Sequence, residues 1–123
     1  MSPTQRARAF CKTNGWTSQI VERFNVHAKV RVDLFGVIDL LVLDGSGGGP
    51  LAVQVCAGGD HAKRRTKALA EPRLGEWLAS PARFEIWSFA KRGPRGKAKK
   101  WRLQREPIVL AESGKRATVD DVW

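Results

Sequence analysis

Gly36-Val37-Ile38-Asp39-Leu40-Leu41-Val42-Leu43, the turn Asp44-Gly45-Ser46-Gly47-Gly48-Gly49-Pro50 and the run Leu51-Ala52-Val53-Gln54-Val55-Cys56 together decide how this chain folds. Two short aliphatic runs flank a segment made almost entirely of turn residues. That pattern predicts two strands joined as a hairpin. Each run carries one polar intruder. A carboxylate in an apolar strand is costly when buried and unpaired, so Asp39 needs a cation, a metal or a strand end open to solvent. Gln54 raises the same question. Across a hairpin the two side chains can share a face and set two oxygens side by side. Hard cations such as Mg²⁺ take oxygen ligands of this kind and keep several waters. An edge-strand Asp facing water is the plain alternative.

Upstream of the hairpin, residues 2–13 read as a helix. Ser2 caps it, Pro3 suits its first turn and Gln5 completes a capping box. Asn14-Gly15 stops it. Trp16 to Phe24 follows an imperfect strand-like alternation, with a helix as the other reading. Asn25 to Val32 is polar and basic and reads as a loop. Downstream, Gly58-Gly59 ends the second apolar run, and Asp60 caps a helix that starts near His61. Pro72 and Gly75 break that helix before Glu76-Trp77-Leu78. Arg83 to Ala90 alternates with apolar residues on both sides, as in a strand covered on both faces. Lys91 to Lys100 is a basic Gly/Pro loop, Trp101 to Arg105 is the returning strand and Glu106-Pro107 closes it. The tail from Ala111 is polar and loosely held. The order is αβββαββ, an α/β or α+β domain with a central mixed sheet of about five strands flanked by helices. It forms a single unit over 1–123, with its core in 2–105.

The composition narrows the class of function. Lys and Arg number 22 against 12 acidic residues, a formal charge of +10. Such an excess repels itself unless a polyanion offsets it, and nucleic acid is the commonest such partner. No apolar run approaches a membrane span, and no basic amphipathic helix or lipidation motif favours a membrane surface. The two cysteines, Cys11 and Cys56, are too few for a secreted disulfide scaffold or a Cys/His zinc site. The expectation is a cytoplasmic protein with reduced thiols and no small-molecule cofactor.

The order of these features resembles the PD-(D/E)XK nuclease superfamily. The features are an N-terminal helix ending at Asn14-Gly15-Trp16, Gly36-x-x-Asp39 in the second strand, Gln54-Val55-Cys56 ending the third, and then a basic helix. The similarity spans roughly residues 2–90. It is greatest to the small Holliday-junction-resolvase-like and VRR-NUC-like members and their phage-type relatives, which points to a prokaryotic or phage-encoded protein. The resemblance implies a restriction-endonuclease-like core, phosphodiester hydrolysis on DNA (including branched or structured DNA) and a homodimer. It also implies Mg²⁺ or Mn²⁺ held by Asp39, Gln54 and the backbone oxygen of Val55.

Two positions depart from that family's pattern. Gln54 stands where the family has a metal-binding acid, and Cys56 stands where it has a lysine. Either the chemistry has been relocated, or the fold keeps DNA binding without cleavage, as a catalytically silent accessory factor. Under relocation Asp33 and Glu22 serve as further metal ligands, and Lys63 or His61 steadies the water or the phosphate. The phosphate-contacting surface falls on Lys63, Arg64, Arg65 and Lys67 of the basic helix, and on Lys91, Arg92, Arg95, Lys97, Lys99 and Lys100 of the basic loop. Trp87 and Trp101 are candidates for stacking on bases, against the more ordinary role of tryptophan in a core.

Overall fold

In a computed structural model of the chain, residues 1–111 and 117–119 are described. Helix α1 spans Pro3–Thr13, followed by strands β1 (Thr17–Ile20), β2 (Arg23–Asn25), β3 (Val30–Val32), β4 (Leu40–Leu43) and β5 (Leu51–Ala57). A 3₁₀ turn at Gly58–Asp60 leads into α2 (His61–Ala70) and α3 (Pro72–Ala79), then β6 (Arg83–Arg92), β7 (Lys100–Leu110) and β8 (Ala117–Val119). The class is α+β. The strand order is β1-β4-β5-β6-β7, with short β8 at the edge, and β2-β3 forms a separate two-stranded ribbon. The sheet is mixed because only β5 and β6 run parallel; α2 and α3 make that crossover.

Alternation along β5 sorts the sheet into two faces. Leu51, Val53 and Val55 join Leu40, Val42, Trp87 and Phe89 beneath Ala7 and Cys11 of α1. Ala52 and Cys56 join Phe84, Ile86 and Ile108 beneath Ala68 of α2 and Leu74 of α3. The sheet therefore lies between α1 on one side and the α2–α3 pair on the other. The Gly-rich turn between β4 and β5 is pinned from outside. Arg83 donates to both Asp44 carboxylate oxygens, at 3.0 and 2.8 Å, and to the Gly49 carbonyl at 2.9 Å. Gly49 has φ +88°, and a Cβ there would come within 2.5 Å of the Pro81 carbonyl oxygen, so no other residue fits.

Several local expectations are corrected. Asn25–Val32 is not a loop: β2 and β3 pair in register, Arg23 with Val32 and Asn25 with Val30. The polar composition of that stretch belongs to a ribbon with no apolar face to bury. Strand β4 begins only at Leu40, because Phe35 and Gly36 both take positive φ and turn the chain there. Pro72 opens α3, with Gly75 inside it, where the first helical turn tolerates a missing N–H. Strand β7 does not close at Glu106-Pro107 but runs on to Leu110; Pro107 lies opposite Glu85 of β6 and just past the last described β8 partner. Part of the tail, Ala117–Val119, pairs with β7, while 112–116 and 120–123 lie outside the described residues.

A buried polar cluster ties α2 to the sheet. His61 Nδ1 lies 2.6 Å from Ser88 Oγ, and His61 Nε2 lies 3.0 Å from Glu106 Oε1. Arg65 Nε donates to the same Glu106 oxygen at 2.6 Å. Burial alone would push the Glu106 carboxyl up. The Arg65 and His61 hydrogen bonds outweigh it and hold the group below the usual glutamate value. Glu106→Ala leaves the buried His61 and the half-buried Arg65 without their acceptor and should cost about 3 kcal/mol in urea unfolding. A depressed acid stabilises above its unfolded pKa and loses that contribution as pH falls through the folded value. The wild-type advantage over Glu106→Gln should accordingly shrink below about pH 4.5, the ordinary glutamate value.

Candidate metal centre

Asp39 is the residue just before β4, and its N–H still bonds to the Val53 carbonyl at 2.9 Å. Alternation along β5 puts Gln54 on the α2–α3 face, and the Asp39 side chain reaches it. The two side chains meet there. Gln54 Nε2 donates to Asp39 Oδ2 at 2.5 Å, and the Val55 N–H donates to the same oxygen at 2.9 Å. Both residues are buried, Asp39 at 4% and Gln54 at 1% exposure.

Two further acids arrive on the β2–β3 ribbon. Glu22 immediately precedes β2 and Asp33 immediately follows β3, so extending the register sets them opposite each other at its base. One carboxylate oxygen each from Glu22, Asp33 and Asp39 lie within 4.8 Å of one another. Gln54 Nε2 is 3.5 Å from Asp33 Oδ2. Two cations border the cluster: Lys67 Nζ at 3.9 Å from Asp33 Oδ2, and Arg31 Nη1 at 3.0 Å from Glu22 Oε1. These groups line a cavity of about 460 Å³ together with Thr4, Cys56, Asp60 and Arg64.

The electrostatics follow from crowding and burial. Burial first, then a hydrogen bond shared with Asp33, pushes the Asp39 carboxyl up to about 8; the Val55 N–H opposes this, and the charges of Asp33 and Glu22 add to it. Asp39 therefore holds a proton at neutral pH unless a cation takes that proton's place. Gln54 Oε1 is buried with no hydrogen-bond partner, while the amide nitrogen faces the carboxylates. The three carboxylates form an oxygen donor set of the kind that suits a hard divalent cation. The Val55 carbonyl shares the strand edge of its N–H and so faces the same space. Cys56 contributes nothing ionic, since burial pushes its thiol up to about 11.

The structure thus brings together Asp39, Gln54, Val55, Asp33 and Glu22. It does not bring in His61, which is locked between Ser88 and Glu106, or Lys63, which is exposed on α2 and does not line the cavity. Lys67 takes the place expected for Lys63. Arg65, expected at a phosphate, is engaged by Glu106. Asp60 makes no side-chain cap bond to α2 and instead lines the cavity. Its spacing with Arg64 and Lys67 held the signal: i, i+4 and i+7 fall on one helical face.

Comparison with protein-family models, with curated proteins and with solved structures found no match to this chain.

The raised Asp39 pKa has a measurable consequence. Between 3.8 and about 8 the folded state holds a proton that the unfolded chain has released, so metal-free stability falls as pH rises through that window. Asp39→Asn should flatten this dependence and be the more stable protein at pH 9, by a few kcal/mol. Thermal unfolding in EDTA at pH 6 and pH 9 measures it. Equal pH slopes for the two proteins would refute the assignment.

Proposed function

We propose that this protein is a metal-dependent nuclease that hydrolyses phosphodiester bonds of DNA on a restriction-endonuclease-like fold. The observation that carries the reading is the cluster of half-buried Glu22 and Asp33 with buried Asp39, next to Gln54, in a chain of formal charge +10. Mg²⁺ or Mn²⁺ held by these oxygens would supply Lewis-acid polarisation of the phosphate and of water. Lys67 and Arg64, on the cavity wall, supply positive charge for the phosphate. Glu22 and Asp33 make good the charge missing at Gln54, and Lys67 the charge missing at Cys56. This is the relocated arrangement, with a symmetric pair of chains as part of the same reading.

Phosphate contacts suit the cations that have no acidic partner among the described residues. They include Lys63 on α2 and Lys91, Arg92, Arg95, Lys97, Lys99 and Lys100 around the β6–β7 hairpin, all exposed. Trp87 is fully buried and donates to Glu85, which removes it as a stacking surface. Trp101 is 45% exposed, with Arg6 3.6 Å above its ring and Lys91 at 5.6 Å, an aromatic in a basic setting.

One observation favours the silent, DNA-binding alternative. The Gln54 amide nitrogen already stands 2.5 Å from Asp39 and 3.5 Å from Asp33, supplying N–H where a cation would sit. Cleavage of plasmid, single-stranded and branched DNA with Mg²⁺ or Mn²⁺ separates the two readings. For the nuclease, Asp39→Ala should lower the rate about a thousandfold while salt-sensitive DNA binding persists. Gln54→Glu should tighten Mn²⁺ binding by adding a charged ligand. Wild type that binds DNA but cleaves none of these substrates would overturn the nuclease and leave the binding protein.

A further inference from the structure

The β2–β3 ribbon takes no part in either core cluster. Every residue of both strands is exposed, including Phe24 at 58%, Val30 at 51% and Val32 at 38%, with Val26 at 71% in the turn between them. A two-stranded ribbon is marginal by itself, and its register leaves Phe24 exposed on one face and Val30 and Val32 on the other. Its charge is one-sided. Arg23, His27, Lys29 and Arg31 lie between residues 23 and 32, and no acidic residue does. The partner it fits is anionic and also offers flat apolar surface.

The pairing fixes where such a partner would lie. Phe24 is opposite Arg31, and two positions down the ribbon the extended register sets Glu22 opposite Asp33. By strand alternation these four residues share one face. Phe24 therefore stands on the same face as two of the three clustered carboxylates, two residues or about 7 Å along the strand from Glu22. An aromatic ring that close to a phosphate-handling centre is placed to meet the base of the neighbouring nucleotide. A paired base is already stacked within its helix, so the base that fits is an unpaired one.

We infer that Phe24, on the basic β2–β3 ribbon beside the acidic cluster, is a stacking platform for an unpaired base, which makes DNA with unpaired nucleotides next to the cleaved bond the substrate class. This rests on the nuclease reading and extends it to substrate choice. An anionic membrane would also suit basic and apolar residues together, but gives no reason for the ribbon to spring from Glu22 and Asp33. A second copy of the chain would set one basic ribbon against another in a protein already at +10.

The test uses the full chain in EDTA, so that no strand is cut. The probes are a duplex carrying a single-stranded flap with 2-aminopurine at the junction, the same duplex fully paired, and phosphatidylserine vesicles. Wild type should bind the flap more tightly than the duplex and quench the 2-aminopurine. Phe24→Ala should lose about 5- to 150-fold in flap affinity, together with the quenching, and leave duplex affinity unchanged. Phe24→Trp should restore both. An unchanged flap-to-duplex ratio in Phe24→Ala, with salt-sensitive DNA binding intact, overturns the platform and spares the DNA reading. Absence of binding to either DNA overturns both. Vesicle binding lost in Phe24→Ala while flap affinity stays, or a wild-type dimer that Phe24→Ala dissociates, assigns the ribbon to a membrane or to a second copy and also overturns it.

Discussion

Asp39 is held inside the sheet by two donors from the neighbouring strand, the Gln54 amide and the Val55 N–H, and the arrangement of the site depends on that attachment. The hydrogen bonds fix where β4 begins. They also fix the register of β4 against β5, in which Leu40 meets Val53 and Leu41 meets Ala52. A slip of one residue would turn Asp39 toward Ala7 and Cys11 and put Leu40 in its place. The Phe35-Gly36 reversal just upstream hands the chain from the ribbon to the sheet, so the same register decides where Asp33, and opposite it Glu22, come to rest.

The acids elsewhere in the fold have a different job. Asp44 with Arg83 locks the β4–β5 turn to the start of β6, and burial is outweighed there, so that the Arg83 hydrogen bonds bring the Asp44 carboxyl down to about 2. Glu85 accepts from Arg105 and from the Trp87 indole, and Glu106 collects Arg65 and His61. Each of these acids is matched by a cation, and the Asp44 and Glu106 carboxyls are held below their ordinary values. In the Glu22–Asp33–Asp39 group Arg31 pairs with Glu22 and Lys67 with Asp33, while the most buried member, Asp39, has no ion pair among the described residues and is pushed the opposite way. That contrast in sign, rather than the count of acids, distinguishes a candidate ion site from structural ion pairs in the same molecule.

The sequence was most legible where hydrophobic period and turn chemistry agreed. The capping box of α1, the Gly-rich turn between β4 and β5, and the doubly covered β6 each follow from local rules, and Asp39 and Gln54 stood out because polar groups in aliphatic strands are costly. The ribbon was hidden because its residues alternate without an apolar side to bury, and pattern reading finds strands through what they bury. Lys67 was passed over for Lys63 because nearness in sequence stood in for nearness in space, whereas the helical turn brings residue 67 to the face of Asp60 and Arg64. His61 is polar at a helix start, which ordinarily means solvent; its partners Ser88 and Glu106 come from strands 27 and 45 residues away, beyond local inference.

Gln54 and the ribbon acids form one electrostatic problem. Three carboxylate oxygens already lie within 4.8 Å, and the pKa of Asp39 shows how strongly the fold resists their charge. A fourth carboxylate at position 54, in a site 1% exposed, would face the desolvation cost and the repulsion together. A neutral amide there avoids both. It supplies an N–H to quiet Asp39 when no cation is near, and keeps an oxygen that no protein donor claims. With Glu22 and Asp33 in place, an amide at position 54 is therefore what the metal-free protein can tolerate.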